Sequence, residues 1–305
     1  MRFQLFFQLH KTFGDYLQGF KYYSCKYTWI RLFEEEIIKN HKADRRAIIY
    51  GNQSSILDKR TLHTSHKQLA ERLKPGMTVL DIGCGTGAIT RDIAIAVGDQ
   101  GRVVGLDNNP AFIEKARAMH AEILNVQFDV GNIYDLEKKE SFDLVTCARV
   151  IQWLANPLEA LKQMALATKV GGRVIVLDYN HEKIKWDPLP PKSTIDFYSD
   201  FLKWRADAGM DNAIADNLQR LFSDAGLTHV HGTAQHEETI REDTNFEDRA
   251  GIWADVMAGR GIQMVLEDYI KEEERVVAER EYREWVDKKA ESQTMYLLAV
   301  EGIKQ

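Results

Sequence analysis

The stretch "VLDIGCGTGAIT", residues 79–90, carries glycines at 83, 85 and 87 directly after a short apolar run that closes on Asp81. Glycine in a regular element loses backbone entropy and packs nothing, so three on alternate positions need a local reason. The reason their chemistry offers is a main chain that can take positive φ and lie bare against a ligand. "MTVLDI" before them reads as a strand. After them Ile89, Ile93 and Val97 mark one face of a helix that stops at Gly98, with Gly101 beyond.

The same alternation runs outward from this stretch. Upstream, Leu62, Leu69 and Leu73 stand near helical spacing, and "KPG" at 74–76 stops that helix. Downstream, "RVVGLD" is a second strand, and Asn109 with Pro110 forms the cap and first turn of a helix with Ile113, Ala116 and His120 on one side. "VQFDV" and "FDLVTC" are the next strands; Asn156 and Pro157 repeat the helix-opening device, with Leu158, Leu161 and Ala165 inward, before "GGRVIVLD" supplies a fifth strand. Parallel strands need crossover connections, usually helical, so the expected class is α/β: a doubly wound, mostly parallel sheet with helices on both faces. Ligands in such folds gather at the carboxyl ends of the strands.

Beyond residue 180 come a Pro-rich bend at 188–191, a helix over 212–225 carrying Ile214, Leu218, Leu221 and Phe222, and a strand near 228–235. Residues 246–290 are helical in character and dense in charge, and "KEEERVVAERE" at 271–281 reads as a solvated face. "TMYLLAV" at 294–300 reads as a last strand returning to the sheet. The expected division is an N-terminal aromatic helical cap or extension (1–58), a core (59–245), a helical lid insertion (246–290) and the final core strand (291–305).

With 305 residues, 44% hydrophobic and 28% charged, the composition is that of a globular protein. A net charge of −6 argues against a broad phosphate-binding surface, so nucleic acid is not an expected partner. Cys25, Cys84 and Cys147 form no CxxC pair, which suits neither a disulfide framework nor a thiolate metal site; no metal is expected, and the expected home is a reducing cytoplasm. The first 33 residues hold 11 of the 30 aromatic residues and five Lys or Arg against the single acid Asp15. No apolar run there approaches the roughly 18 residues of a membrane span, so no integral membrane segment is expected. A cap packed on the main domain and a membrane-surface or partner-docking segment both fit that composition. No oligomeric state can be read from the pattern.

Gly83, Gly85, Gly87 and Ala88 also satisfy a loose GxGxxA, so the loop alone fits a dinucleotide as well. Asp81 lies two residues before the glycines, where a carboxylate repels a pyrophosphate but suits a cationic amino group. Asp107 ends the second strand 20 residues after Gly87, the place from which an acid accepts hydrogen bonds from ribose hydroxyls. "VGN" at 130–132 and "FDLVTCARVIQWL" at 142–154 close the third and fourth strands, a pair that dinucleotide binding does not require.

These motifs, in this order, resemble the class I S-adenosylmethionine-dependent methyltransferases, in particular the type 11-like small-molecule group, over roughly residues 65–180. The resemblance implies a seven-stranded sheet with the last strand antiparallel and S-adenosyl-L-methionine as cofactor. It also implies that Asp81 and the main chain of Gly83, Cys84, Gly85 and Gly87 hold the methionine portion, and Asp107 the ribose. Asn108 and Asn132 would lie at the adenine, with Ile133 and Arg149 contributing backbone. At Asn132 the family often has an acid, at Gln152 a histidine, and at Val170 a proline.

The implied reaction is in-line transfer of a methyl group to a small-molecule acceptor, in which orientation and exclusion of water do most of the work. Gln152, placed to orient an acceptor atom, and His181, just past the fifth strand, are the candidate catalytic residues; a backbone-capping amide and a surface loop histidine are the plainer readings. Trp153, Tyr179 and Trp186 are candidate substrate contacts, against the alternative of aromatic packing. Two other functions remain open on the sequence: a methyltransferase-like protein that binds the cofactor without catalysis, and an NAD(P)-dependent oxidoreductase.

Overall fold

The computed structural model describes residues 39, 41–47, 58, 60–136 and 139–305. Apart from Lys39, the described residues belong to one compact unit, residues 40–305. The expected aromatic cap at 1–58 therefore lies outside the described residues, apart from Lys39, a helix at 41–47 and Asp58.

Seven strands form the main sheet: β1 (Thr78–Ile82), β2 (Arg102–Asp107), β3 (Val126–Val130), β4 (Phe142–Ala148), β5 (Thr168–Tyr179), β7 (Leu227–Ala234) and β10 (Leu297–Lys304). Their order is β3-β2-β1-β4-β5-β10-β7. β1 to β5 pair in parallel, and β10 runs antiparallel to both neighbours, β5 and β7. The doubly wound sheet with its last strand reversed is thus the one expected, with β10 lying inside the sheet rather than at its edge.

Period-two alternation builds two cores from each strand. Val79, Val103, Leu144 and Ile175 face a cluster completed by Leu62, Leu69, Ile93 and Val97 from the helices Leu62–Ser65, Lys67–Arg72 and Ala88–Val97. Their neighbours Leu80, Val104, Val145, Val174 and Val176 face the helices Pro157–Ala167 and Ile214–Asp224 through Leu161, Met164, Leu218 and Phe222. Full burial of each such side chain contributes about 1.5–3 kcal/mol, and covering both faces is what a parallel sheet requires. Asn109 Oδ1 accepts from Ala111 N and Asn156 Oδ1 from Glu159 N, the two caps read from the sequence.

The region after β5 is richer than its sequence suggests. A helix at Lys192–Asp207, absent from the sequence reading, packs Phe197, Phe201 and Trp204 against Trp253 and Met257 of helix Ile252–Leu266 and Tyr282 and Trp285 of helix Glu272–Lys288. This layer rests on Leu177 and Tyr179 of β5 and on Leu297 and Ala299 of β10. "TMYLLAV" is divided: β9 (Ser292–Met295) joins a small antiparallel sheet with β6 (Lys185–Asp187) and β8 (Glu237–Ile240), and β10 starts after Tyr296. The helical layer consequently draws on residues 192–207 as well as 246–288, and it flanks the carboxyl end of β5. Among the described residues no helix is long and apolar enough to cross a membrane, and no cluster of side chains suits a metal ion.

Candidate functional site

The glycine loop is bolted to the end of β2. Gly83 N and Cys84 N donate to Leu106 O at 2.7 and 3.1 Å. Gly85 N donates to Asp107 Oδ2 and Asn109 N to Asp107 Oδ1, each at 2.9 Å. Burial raises the Asp107 pKa, and the backbone donors of Asn109, Gly85 and Asn108 work against that rise. A carboxylate has about four acceptor sites, so Asp107 keeps room for a hydroxyl donor beside its backbone partners.

All three glycines have positive φ, at 70°, 56° and 82° for Gly83, Gly85 and Gly87. A Cβ on Gly83 would stand 2.3 Å from Val150 Cγ2, and one on Gly87 would meet Phe128 at 2.7 Å and the His120 ring at 2.9 Å. Part of the reason for the glycines is therefore internal: the loop fits between its own neighbours only without side chains there.

A cavity of about 490 Å³ opens at the strand ends, walled by Gly83, Gly85, Asp107, Asn108, Asn132, Ile133, Val150 and Arg149. His41, Asp44, Arg45 and Ala47 of the 41–47 helix form another part of its wall. Arg260 reaches that helix, its Nη1 and Nη2 donating to Arg46 O and Ala47 O at 2.5 and 3.0 Å. Asn132 Oδ1 accepts from Tyr134 N at 2.9 Å, so its amide shapes the turn as well as facing the cavity.

Three expected cofactor residues stand behind this wall. Asp81 is buried and accepts Thr90 Oγ1 at 2.6 Å. Burial pushes its pKa up to about 7, opposed by the Thr90 bond and reinforced by the charge of Asp107. Cys84 packs its side chain against the cluster of Ile113, Ala116 and Phe128. Gly87 caps the following helix in the left-handed conformation. A strand-end position made Asp81 look accessible; the alternation of β1 turns it under the loop instead.

A second chamber of about 180 Å³ adjoins the first, and Arg60, Arg149, Trp153 and Arg260 line both. Gln152, Tyr179, His181, Phe201 and Trp253 complete much of its lining. His181 is not a surface histidine: it is 5% exposed, and its ring meets those of Tyr179, Phe201 and Trp253 at centroid distances of 5.5, 6.1 and 6.2 Å. Gln152 Nε2 donates to Arg149 O at 3.2 Å, which turns its Oε1 toward His181 Nε2 at 2.6 Å. That contact makes Nε2 the protonated nitrogen and leaves Nδ1 with its lone pair; Nδ1 is buried and has no hydrogen-bond partner. Burial, with a smaller contribution from Arg205, lowers the His181 pKa well below its ordinary value, so the ring is neutral.

Beneath Gln152 lies Asp178, fully buried, which accepts from Gln152 N at 3.0 Å and Tyr179 N at 2.9 Å. Burial lifts its pKa to about 6 against these backbone bonds. Arg149 sits at φ 62°, an uncommon conformation for a residue with a side chain. Its Nε donates to Tyr179 Oη at 2.9 Å, and its Nη2 pairs with Glu237. Burial opposes the Arg149 charge, but Glu237 and Tyr179 outweigh it and raise the pKa. Of the substrate candidates, Trp153 and Tyr179 line the chamber, whereas Trp186 does not. Trp186 donates to Gln293 Oε1 at 3.0 Å and packs edge-on against Tyr198, which is a structural role.

Sequence reasoning missed Arg60, Glu237 and Phe201. Glu237 starts a short strand 88 residues from Arg149, and only the folded chain brings the two together. A larger groove of about 1420 Å³ runs along the β3 edge past Leu124 and Gln127, and none of Gly83, Gly85 and Gly87 lines it.

Residues 73–226 match the family model described as a methyltransferase domain. The chain is 31% identical over 205 residues to a demethylmenaquinone methyltransferase of Lactococcus lactis, covering 60% of this chain and 81% of that protein. It is also 31% identical over 226 residues to a ubiquinone/menaquinone biosynthesis C-methyltransferase of Burkholderia cenocepacia, covering 64% and 89%. A 37.1 kDa transposon protein of Streptomyces fradiae is 33% identical over half of this chain, a match that spans 44% of its own length. Among solved structures, the YcgJ protein of Bacillus subtilis shares the fold with a TM-score of 0.52 at 20% identity, over 80% of this chain and 99% of that one.

Proposed function

The chain belongs to the methyltransferase domain family, and from that membership we propose that it transfers a methyl group from S-adenosyl-L-methionine to a small-molecule acceptor held in the aromatic chamber. The observation that carries this reading is one cavity wall, at the carboxyl ends of β1 and β2, made of the bare main chain of Gly83 and Gly85 and the carboxylate of Asp107.

The cavity fits the cofactor. Its volume falls in the range of about 300–1,000 Å³ usual for small-molecule sites. Its acid, Asp107, suits ribose hydroxyls, which a dinucleotide also carries, and the side-chain-free loop leaves room for a methionine chain. Asp107 would take the ribose, Asn108 and Asn132 would flank the adenine, Ile133 would contribute backbone, and Gly83 and Gly85 would carry the methionine end. Bound there, the sulfonium supplies an electrophilic methyl group.

The chain's own residues do the rest. The aromatic walls orient a flat acceptor, whose own ring would displace water from the reacting atoms. Gln152, fixed by Arg149 O, holds the His181 ring as the tautomer whose Nδ1 is free to receive a proton from the acceptor. Arg149 sits between the two chambers, so cofactor loop and acceptor wall share one rigid element. The relatives named as demethylmenaquinone and ubiquinone/menaquinone methyltransferases support a small-molecule acceptor here.

Incubation with methyl-labelled S-adenosylmethionine and a cellular metabolite extract tests the proposal. Label should appear in a small molecule identified by mass. Absence of transfer by protein that binds the donor, or label confined to protein or nucleic acid, refutes it.

A further inference from the structure

We infer that the methyl acceptor is a single-ring hydroxyaromatic acid, its ring enclosed by Trp153, Tyr179, Phe201 and Trp253 and its carboxylate held by Arg149 and Arg60. The inference rests on the methyltransferase reading and names the acceptor class for the same site.

Size comes first. The chamber measures about 180 Å³, and a protein cavity of about 150 Å³ takes one benzene molecule. Four aromatic side chains on its walls favour a flat ring through offset and edge-to-face contacts.

Charge comes second. Three arginines, Arg60, Arg149 and Arg260, line the chamber against one carboxylate, Asp255. Glu237 pairs with Nη2 of Arg149 from just outside the lining and offsets part of this excess. Arg149 is only 6% exposed, and its Nη1 is buried without a hydrogen-bond partner. An unpaired donor on a buried guanidinium is costly, and a carboxylate is the partner its planar geometry fits best. Burial and then the like charge of Arg149 lower the Arg60 pKa, against the opposing charges of Tyr179, Glu237 and Asp178; Glu237 thus serves both arginines already, and a ligand carboxylate would add to it.

Polarity comes third. His181 Nδ1, on the same chamber, is a buried acceptor without a donor. A ring hydroxyl supplies that donor; with Arg149 Nη1 and Trp253 Nε1, both buried donors without a partner, the three orphaned groups call for one oxyanion and one hydroxyl on a small ring.

The test titrates 3-hydroxybenzoate and the uncharged 3-hydroxybenzamide calorimetrically into the full chain saturated with S-adenosylhomocysteine. The acid should bind at least tenfold tighter than the amide. Arg60→Gln should bring the two within twofold, and Arg149→Gln serves as the second variant, each first shown by circular dichroism to be folded. Equal affinity, an unchanged ratio in both variants, or binding of neither compound overturns the inference. So does loss of acid binding on saturation, which would assign the free arginine donors to the cofactor's own carboxylate. S-adenosylhomocysteine binding is measured first and separately: its failure counts against the methyltransferase reading, whereas its success with no preference for the acid counts only against the acceptor class.

Discussion

Replacing Asp81 with asparagine removes a titrating group from a place that disfavours its charge. The side chain is 5% exposed and keeps one hydrogen bond, from Thr90 Oγ1, which an amide oxygen can also accept. Burial, offset in part by Thr90 and reinforced by Asp107, lifts its pKa from 3.8 to about 7. The sign follows from proton counting. Between those two values the folded protein keeps a proton that the unfolded chain has lost, so stability falls as pH rises through the window and levels off above about 7. A gap of about three pKa units corresponds to about 4 kcal/mol, an order-of-magnitude figure. Asparagine does not titrate, so Asp81→Asn should gain on the wild type by up to that amount as pH rises from about 4 to 7. Asp178, lifted to about 6, tilts both proteins alike and cancels in the difference. Urea unfolding of the cofactor-free proteins across this pH range gives the two curves. Parallel curves, or a wild type that gains on the variant with pH, would refute the reasoning.

Other substitutions separate the parts of the site. Gly83→Ala places a Cβ 2.3 Å from Val150 at φ 70°; about 1–2 kcal/mol of backbone strain plus the collision should lower the melting temperature and weaken cofactor binding at least tenfold. His181→Phe keeps the ring packing but removes Nδ1; turnover should fall about 10²–10⁴-fold with S-adenosylhomocysteine affinity within twofold of wild type, as read by steady-state kinetics and calorimetry. Gln152→Leu releases the ring's tautomer and should lower turnover in the same assay, by less than loss of the ring itself.

The order of β1 to β5, the helices between them and the two asparagine caps were legible because each rests on local chemistry: an apolar run, a turn glycine, an Asn-Pro pair. The helix Lys192–Asp207 follows a Pro-rich bend, and its apolar face, Phe197, Phe201 and Trp204, was masked by the charged residues between them. The small sheet could not be read, because β6, β8 and β9 are three short segments far apart in the chain. The cofactor wall was half legible. Asp107 stands where strand-end reasoning put it, and Asn108, Asn132 and Ile133, implied by the resemblance, line the same cavity, whereas Asp81 points to the other face of β1. The acceptor chamber depends on long-range pairs such as Arg149 with Glu237 and Gln152 with His181, which no local pattern announces.

The central claim, that bare main chain and one strand-end carboxylate hold a sulfonium nucleoside, is met most directly by calorimetric titration of S-adenosylhomocysteine and of NAD into the wild type and Asp107→Ala. The account predicts saturable binding of the nucleoside at one site, at least a tenfold loss in the variant with its circular dichroism unchanged, and no binding of the dinucleotide. Equal affinity in the two proteins, or binding of NAD in place of the nucleoside, would contradict it.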